Sequence, residues 1–323
     1  MFDGYQLDDP DKPFIIAEIS GNHQRDYAKA VSLVHAAFCA GASAVKFQTF
    51  RPEEICADIA LPFGHDPDHD AWLHTLGVTR MPELFALGGL PREWHAPLKT
   101  LAESLGLAFL STPFSVDAAR FLVEEVGVGA LKIASGDLTF TPLLAYAAGT
   151  GLPVILSTGM ATMEEIGAAL STFTAVTSAH TFPQVALLHC ISTYPCPGNL
   201  VNLRCIATLR RAFPCGAFGF SDHTLSTDFV PAVAVACGAS VLEKHFRLAE
   251  DEHGVDSAHS LDPAGFARYV SIAAMIGPDL LGNGIKAPVA AEAHDRIWSR
   301  RGSDGLRPTD AARQGVWASD TPA

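Results

Sequence analysis

Lys46 and Lys132 each interrupt a run that is otherwise apolar, AVKFQ and LKIAS. An ammonium group there needs a partner, because a buried unpaired charge is costly. Three chemistries supply one. The first is an ion pair with a carboxylate such as Glu18 or Glu243. The second is an anion, phosphate or carboxylate, held by both lysines. The third is a Schiff base formed on a lysine. Hydroxyls at Thr112, Ser135, Ser157 and Ser221 each stand where an apolar run stops, and they would complete an anion cradle. Two lysines among so many hydroxyl donors fit phosphate better than a Schiff base.

His223 and His245 close two successive apolar runs. Two imidazoles on adjacent strand tips can share a divalent ion, with a carboxylate and water completing the shell. Each alone reads more often as a hydrogen-bonded site residue than as a ligand. Asp222 and Glu243 beside them bring the metal reading level with that one, and Asp137 would reach the ion through a water. Glu18, Asp137 and Glu243 are the candidate catalytic carboxylates. Glu18 is a candidate general acid or base with a pKa set by nearby lysines; the plainer reading is that it neutralises Lys46. His189, inside LLHC, is equally a buried and satisfied core histidine.

These residues need a scaffold that brings many strand tips together. Eight short apolar runs supply it: 14–19, 44–47, 107–110, 130–134, 153–156, 185–189, 217–220 and 240–242. Their solid apolar character fits parallel strands buried on both faces. Helical patterns follow each run, at 27–40, 92–105, 117–126, 141–149, 163–172, 203–213, 227–237 and 263–276. In the first of them Ala30, Val34, Ala37 and Phe38 share a face. Eight strand-then-helix units predict a (β/α)8 TIM barrel, whose strand ends converge on one mouth. An open doubly wound sheet is the alternative, but no GxGxxG is present. Residues 51–91 form a long insertion after the second strand, expected to be a lid or a disordered loop. Its His/Asp run (Gly64-His65-Asp66, Asp68-His69-Asp70) reads as solvated loop rather than metal site. The barrel is expected over 1–285, with 286–323 a polar C-terminal extension.

Composition narrows the function classes. The 323 residues are 48% hydrophobic and 18% charged, which supplies a large core. A net charge of -13 argues against nucleic-acid binding, yet a few buried lysines still suffice for an anionic substrate. Seven cysteines without a CxxC pair suit reduced thiols in the cytoplasm. The sequence shows neither an apolar h-region near its start nor a membrane-spanning run.

The segments IIAEISGNH, AGASAVKFQTF, FLSTPF, LKIASGDLT, PVILSTGMAT, LLHCISTYPCP, NLRCIATL, GFSDHTLS and VLEKHF run in order through the barrel region. Together they resemble the N-acetylneuraminate (sialic acid) synthase family, including pseudaminic and legionaminic acid synthases. The resemblance implies condensation of phosphoenolpyruvate with an N-acetylmannosamine-type aldose. The product would be a nine-carbon nonulosonic acid, with phosphate released. It implies Mn2+ or Mg2+ on His223 and His245. It places phosphoenolpyruvate contacts on Lys46, Thr112, Lys132, Ser135, Ser157 and Ser221, and the catalytic glutamate on Glu18. Ser192 takes one further phosphoenolpyruvate position, where sialate synthases often have Asn. Asp137 takes the acidic position near the metal, and Gln48, Tyr194 and Asp256 the sugar contacts.

Two departures stand out. Glu93-Trp94-His95 and residues 255–260 look more like pseudaminic acid synthases, while Ser135-Gly136-Asp137 looks more like the sialate and legionaminate types. The acceptor sugar is therefore open. Family members also carry an antifreeze-protein-like domain after the barrel, which reaches the partner's site in a homodimer and supplies an Arg to the sugar. The short tail here, a truncated linker or a remnant of that domain, offers no position for that Arg. A Schiff-base aldolase and a non-catalytic sugar-phosphate-binding relative are the alternative readings.

Overall fold

A computed structural model describes residues 6–9, 12–61, 67–177, 182–251, 254–276, 278–281 and 287–314. Its centre is a sheet of eight parallel strands. They are β1 (Phe14–Glu18), β2 (Ala44–Thr49), β3 (Ala108–Pro113), β4 (Leu131–Ile133), β5 (Val154–Ser157), β6 (Phe182–Cys190), β7 (Cys215–Asp222) and β8 (Val241–His245). Their order is β3-β2-β1-β8-β7-β6-β5-β4, and β3 packs against β4, so the sheet curls into a nearly closed TIM barrel. The register pairs Glu18 with both Lys46 and His245, and Ser221 with Glu243.

Apolar side chains divide by strand parity. One set, including Ile15, Val45, Phe109, Leu131, Val154, Leu187 and Leu242, packs outward against the helices. The other fills the barrel: Phe14, Ile16, Ala44, Leu110, Ala130, Ile155, Leu188 and Val241 among them. Gly219 belongs to the inward row of β7. A Cβ there would stand 2.6 Å from Leu188 Cδ2 and run into the Val241 carbonyl, so the interior has no room for a side chain at that level.

Each expected helix forms within a few residues of its pattern, from Tyr27–Cys39 to Pro263–Met275. Local chemistry sets their starts. Asp26 Oδ1 accepts from the amides of Ala28 and Lys29, Ser115 Oγ from Ala118 and Asp262 Oδ1 from Gly265. In the first helix the buried face is Ala30, Leu33, Val34 and Ala37; Phe38, expected there, is 45% exposed. It stands one residue past Ala37, about 100° further round.

The 51–91 insertion carries three short helices, Pro52–Ile55, Pro67–Thr75 and Met81–Gly88, rather than a structureless loop. Its far end is tied to the turn after β1. His23 Nε2 meets the Gly88 carbonyl at 3.2 Å, and Arg25 donates to the carbonyls of Ala86 and Gly89. Gly64, His65 and Asp66 of the His/Asp run lie outside the described residues.

The chain divides into two compact units, Met1–Leu280 and Leu281–Ala323; the expected boundary at 285/286 lies outside the described residues. Among its described residues the second unit holds the short helices Ala293–Trp298 and Asp310–Arg313 and a 3-10 turn, Ala290–Glu292. The Thr309 amide donates to the Ile297 carbonyl, and Arg313 pairs with Asp304 at 2.5 Å. All seven cysteines are free, and no described helix is long and apolar enough to cross a membrane.

Candidate active site

The inward rows carry the chemistry. Two residues beyond each inward apolar residue, on the same side of the strand, a polar side chain appears. Glu18 follows Ile16, Lys46 and Gln48 follow Ala44, Thr112 follows Leu110, and Lys132 follows Ala130. Ser157 follows Ile155, Ser221 follows Gly219, and Glu243 and His245 follow Val241. Seven strands therefore stack a polar layer on an apolar floor, and the inward row of β6 ends on Cys190.

Four charges meet at the bottom of this layer. Lys46 Nζ lies 2.7 Å from Glu18 Oε2 and 3.6 Å from Glu243 Oε1, and donates to Thr112 Oγ1 at 2.9 Å. Lys132 Nζ donates to Ser157 Oγ at 2.8 Å and to the Ile133 carbonyl, and lies 3.9 Å from Glu243 Oε1. Ser221 Oγ donates to the same Oε1 at 3.3 Å. The ion pairs that the plainer reading expected are thus present, and Glu243 bridges both lysines.

The electrostatics are uneven. Burial raises the Glu18 carboxyl to about 7; Lys46 pulls it down and Glu243 pushes it up. Burial opposes charge on Lys46, but Glu18 and Glu243 outweigh it and its pKa rises. Burial opposes charge on Glu243 too, yet the two lysines outweigh it and hold its pKa low. Lys132 is pulled down by burial, with only partial support from Glu243. Lys46 has two carboxylate partners, Glu18 the nearer, and Lys132 has the least supported charge. An anion arriving at Lys132 would supply what the protein leaves short.

Above Lys132 the hydroxyls form a cradle. The Gly159 amide donates to Ser135 Oγ at 2.9 Å. A Cβ on Gly159 would run into Ser192 Oγ and lie 2.8 Å from Ser135 Oγ and 3.1 Å from Cys190 Sγ. Ser135 and Ser192 therefore face each other across a position that only glycine leaves open. Gly159→Ala is expected to raise the KM for an anionic substrate by about tenfold or more, the order of one lost contact of about 1.5 kcal/mol, with little change in the unfolding midpoint. An unchanged KM in steady-state kinetics would remove the cradle from the site. Sequence reasoning missed Gly159; its signal was a glycine directly after the Ser157-Thr158 hydroxyls.

Asp137 ends the turn Ser135–Asp137 beyond β4, and burial raises its carboxyl to about 6 against the pull of Lys132. Gln48 Nε2 donates to Glu18 Oε1 at 3.0 Å and to Ser20 Oγ at 2.7 Å; Ser20 Oγ in turn donates to Asp256 Oδ2. Ser20, also missed, joins the carboxylate floor to the rim. Its backbone is left-handed, φ 50°, a conformation that costs energy outside glycine.

The histidines gather beside this layer. The ring centroids of His223 and His245 are 5.5 Å apart, and Tyr194 lies 4.1 Å from His223. His223 Nδ1 meets the Ile191 carbonyl at 2.8 Å, so it carries the proton and leaves Nε2 with a lone pair. The buried Nδ1 of His245 has no hydrogen-bond partner among the described residues. Burial lowers the pKa of both, His223 to about 4, which keeps them neutral as ligation requires. His245, Asp256 and His259 offer ligand atoms within 4.8 Å of one another. A neutral imidazole set with an orphaned nitrogen and a nearby carboxylate fits a divalent ion.

Other polar tips turn out to be structural. His189 lies on the outward parity of β6, where Nε2 meets the Val201 carbonyl at 2.8 Å and the ring stacks on Phe220; it is the satisfied core histidine. Asp222 and Lys244 also face outward and pair at 4.0 Å in complete burial, so Asp222 does not join the histidine cluster.

Comparison with known proteins follows this geometry. The NeuB family model matches residues 33–286. N,N'-diacetyllegionaminic acid synthase of Legionella pneumophila is 36% identical over 89% of this chain and 78% of its own length. Pseudaminic acid synthase of Helicobacter pylori is 36% identical over 80% of this chain and 72% of its own. The crystal structure of an N-acetylneuraminic acid synthetase from Leptospira borgpetersenii, in complex with citrate, superposes with a TM-score of 0.74 at 33% identity, covering 88% of this chain and 90% of that one. With the family model matching most of the barrel, the chain belongs to the NeuB family.

Proposed function

We propose that this protein condenses phosphoenolpyruvate with an open-chain N-acetylmannosamine-type aldose, giving a nine-carbon nonulosonic acid and phosphate. The observation that carries the reading is a layer of inward hydroxyls around two buried lysines, with neutral histidines beside it. Relatives named as synthases of legionaminic, pseudaminic and sialic acids support it.

In this mechanism Lys46 and Lys132 hold the anionic groups of phosphoenolpyruvate, with Thr112, Ser135, Ser157, Ser192 and Ser221 orienting its oxygens. Gln48, Tyr194 and Asp256 line the rim where the sugar binds. His223 and His245 would hold a divalent ion, Mn2+ or Mg2+, which when bound supplies Lewis-acid polarisation of the aldehyde. C3 of phosphoenolpyruvate forms a bond to the aldehyde carbon, and that oxygen gains a proton. Positive charge then builds at C2, where the Glu18 and Glu243 carboxylates stabilise it. Water adds to C2 and loses a proton, Asp137 or Glu18 accepting it. The C2–O bond to phosphate breaks, the remaining C2 hydroxyl gives its proton to the departing phosphate, and the 2-keto acid is left.

The test is phosphate release from phosphoenolpyruvate with a panel of N-acetylated hexosamines, with and without Mn2+. Release that needs both sugar and metal is expected; no release with any sugar would favour a binding protein. A second reading has one observation in its favour, since burial depresses Lys132 as a Schiff-base lysine requires. Borohydride trapping with pyruvate would label Lys132 in that case.

The carboxyl of Glu18 gives a pH prediction. It must be ionised to stabilise positive charge, and its pKa is raised to about 7. Activity should therefore rise with pH, kcat showing a limb at about 7 or above because bound anions push the same way. His223, at about 4, does not titrate there. A kcat profile flat from pH 6 to 8 would take Glu18 out of this role.

A further inference from the structure

We propose that His259 is a third imidazole ligand at the ion site, so that the centre is built from His223, His245 and His259. The proposal rests on the reading of that site as a divalent-ion site and goes beyond the pair of histidines that reading uses.

The three rings surround one volume. The centroid of His259 lies 4.4 Å from that of His245 and 6.3 Å from that of His223, each pair edge to face. Tyr194 closes the volume on one side, 4.1 Å from His223 and 4.9 Å from His259. All three histidines are more than nine-tenths buried. Two ligands about 2.1 Å from one ion lie at most about 4.2 Å apart. The ligand atoms of His245 and His259 lie, with an Asp256 carboxylate oxygen, mutually within 4.8 Å, and the His223 ring centroid stands 5.5 Å from that of His245. The orphaned Nδ1 of His245 marks the same volume as one where a polar atom lacks a partner among the described residues.

The turn that carries His259 is held rigidly. Asn22 Nδ2 donates to Ser260 Oγ at 2.8 Å and to the Phe246 carbonyl at 2.9 Å, tying the turn to the end of β8. Ser257 Oγ donates to Asn22 Oδ1, and Ser260 Oγ to the Asp256 carbonyl at 2.6 Å. Asp256 Oδ2 accepts from the Gly21 amide at 3.1 Å, while Oδ1 stands 3.5 Å from His259 Nε2. These bonds hold the turn that presents His259 to the ion site.

Three nitrogen donors also change which ion fits. Imidazole suits transition metals, whereas Mg2+ prefers an oxygen shell and keeps its waters. The wild-type site is therefore selective for a transition-metal ion over Mg2+, and loss of His259 narrows that preference.

The test uses the full chain stripped of metal with a chelator and then titrated with Co2+ and with Mg2+, followed by calorimetry and visible absorption. His259→Ala and the volume-filling His259→Phe are compared with wild type, their metal-free unfolding midpoints serving as the fold control. Both variants are expected to bind Co2+ about 100-fold more weakly or worse. Proton NMR of the Co2+ form counts ligands directly: three exchangeable, paramagnetically shifted imidazole N–H signals in wild type and two in each variant. If both variants keep the wild-type Kd and the same number of shifted signals, His259 is a packing residue and the proposal is overturned, while the two-histidine site stands. If wild type itself binds no Co2+, the ion reading fails along with it.

Discussion

His245→Ala should release phosphate from phosphoenolpyruvate about 1000-fold more slowly than wild type, with its unfolding midpoint nearly unchanged. In the proposed reaction the loss is large because Lewis-acid polarisation is worth several kcal/mol at the transition state, and about 4 kcal/mol is three orders of magnitude in rate. The fold is spared because the ring lies at the top of the inward row of β8, above the packed floor, with an Nδ1 that no described residue satisfies. Removing it creates no unsatisfied partner at that atom. Steady-state assays at saturating Mn2+ and a thermal melt of the metal-free protein decide the matter. Activity within tenfold of wild type would place the chemistry elsewhere.

Glu243→Gln should do the opposite and damage the fold first. Its Oε1 stands 3.6 Å from Lys46 and 3.9 Å from Lys132, and all three groups are buried. Lys46 keeps Glu18 as a partner at 2.7 Å, but Lys132 is left with hydroxyl and carbonyl oxygens alone. Breaking a buried pair by neutralising one member costs about 3–5 kcal/mol. Urea denaturation at pH 7 should show that loss with an unchanged m-value. The double variant Glu243→Gln, Lys132→Met should regain most of it, since the uncompensated charge is then gone. A single variant as stable as wild type would mean that Glu243 does not compensate Lys132.

The barrel was legible because eight apolar runs and eight helical patterns alternate, and the observed strands differ from the runs chiefly at their ends. Those ends ran past the apolar residues into the polar ones: β2 continues through Gln48 and β8 through His245. What the runs could not show by count alone was side. Parity settles it, since Glu243 and His245 share the inward row while Lys244 between them pairs outward with Asp222. The same rule turns His189 away from the polar layer, one residue after inward Leu188. Gly159, Ser20 and His259 lay beyond this reasoning, because loop residues follow no strand period. Their positions come from backbone turns and from contacts with residues distant in the chain, such as Ser20 with Asp256.

The apolar floor has a kinetic consequence. Ile16, Leu110, Ile155 and Leu188 fill the barrel beneath the lysines, and Gly219 marks how little space is left there. The barrel is filled on that side of the lysines. Lys46 and Lys132 are almost wholly buried, while Tyr194 stands half exposed. In the proposed reaction, the reactant held by the buried lysines would have to enter before the one held beside the half-exposed Tyr194.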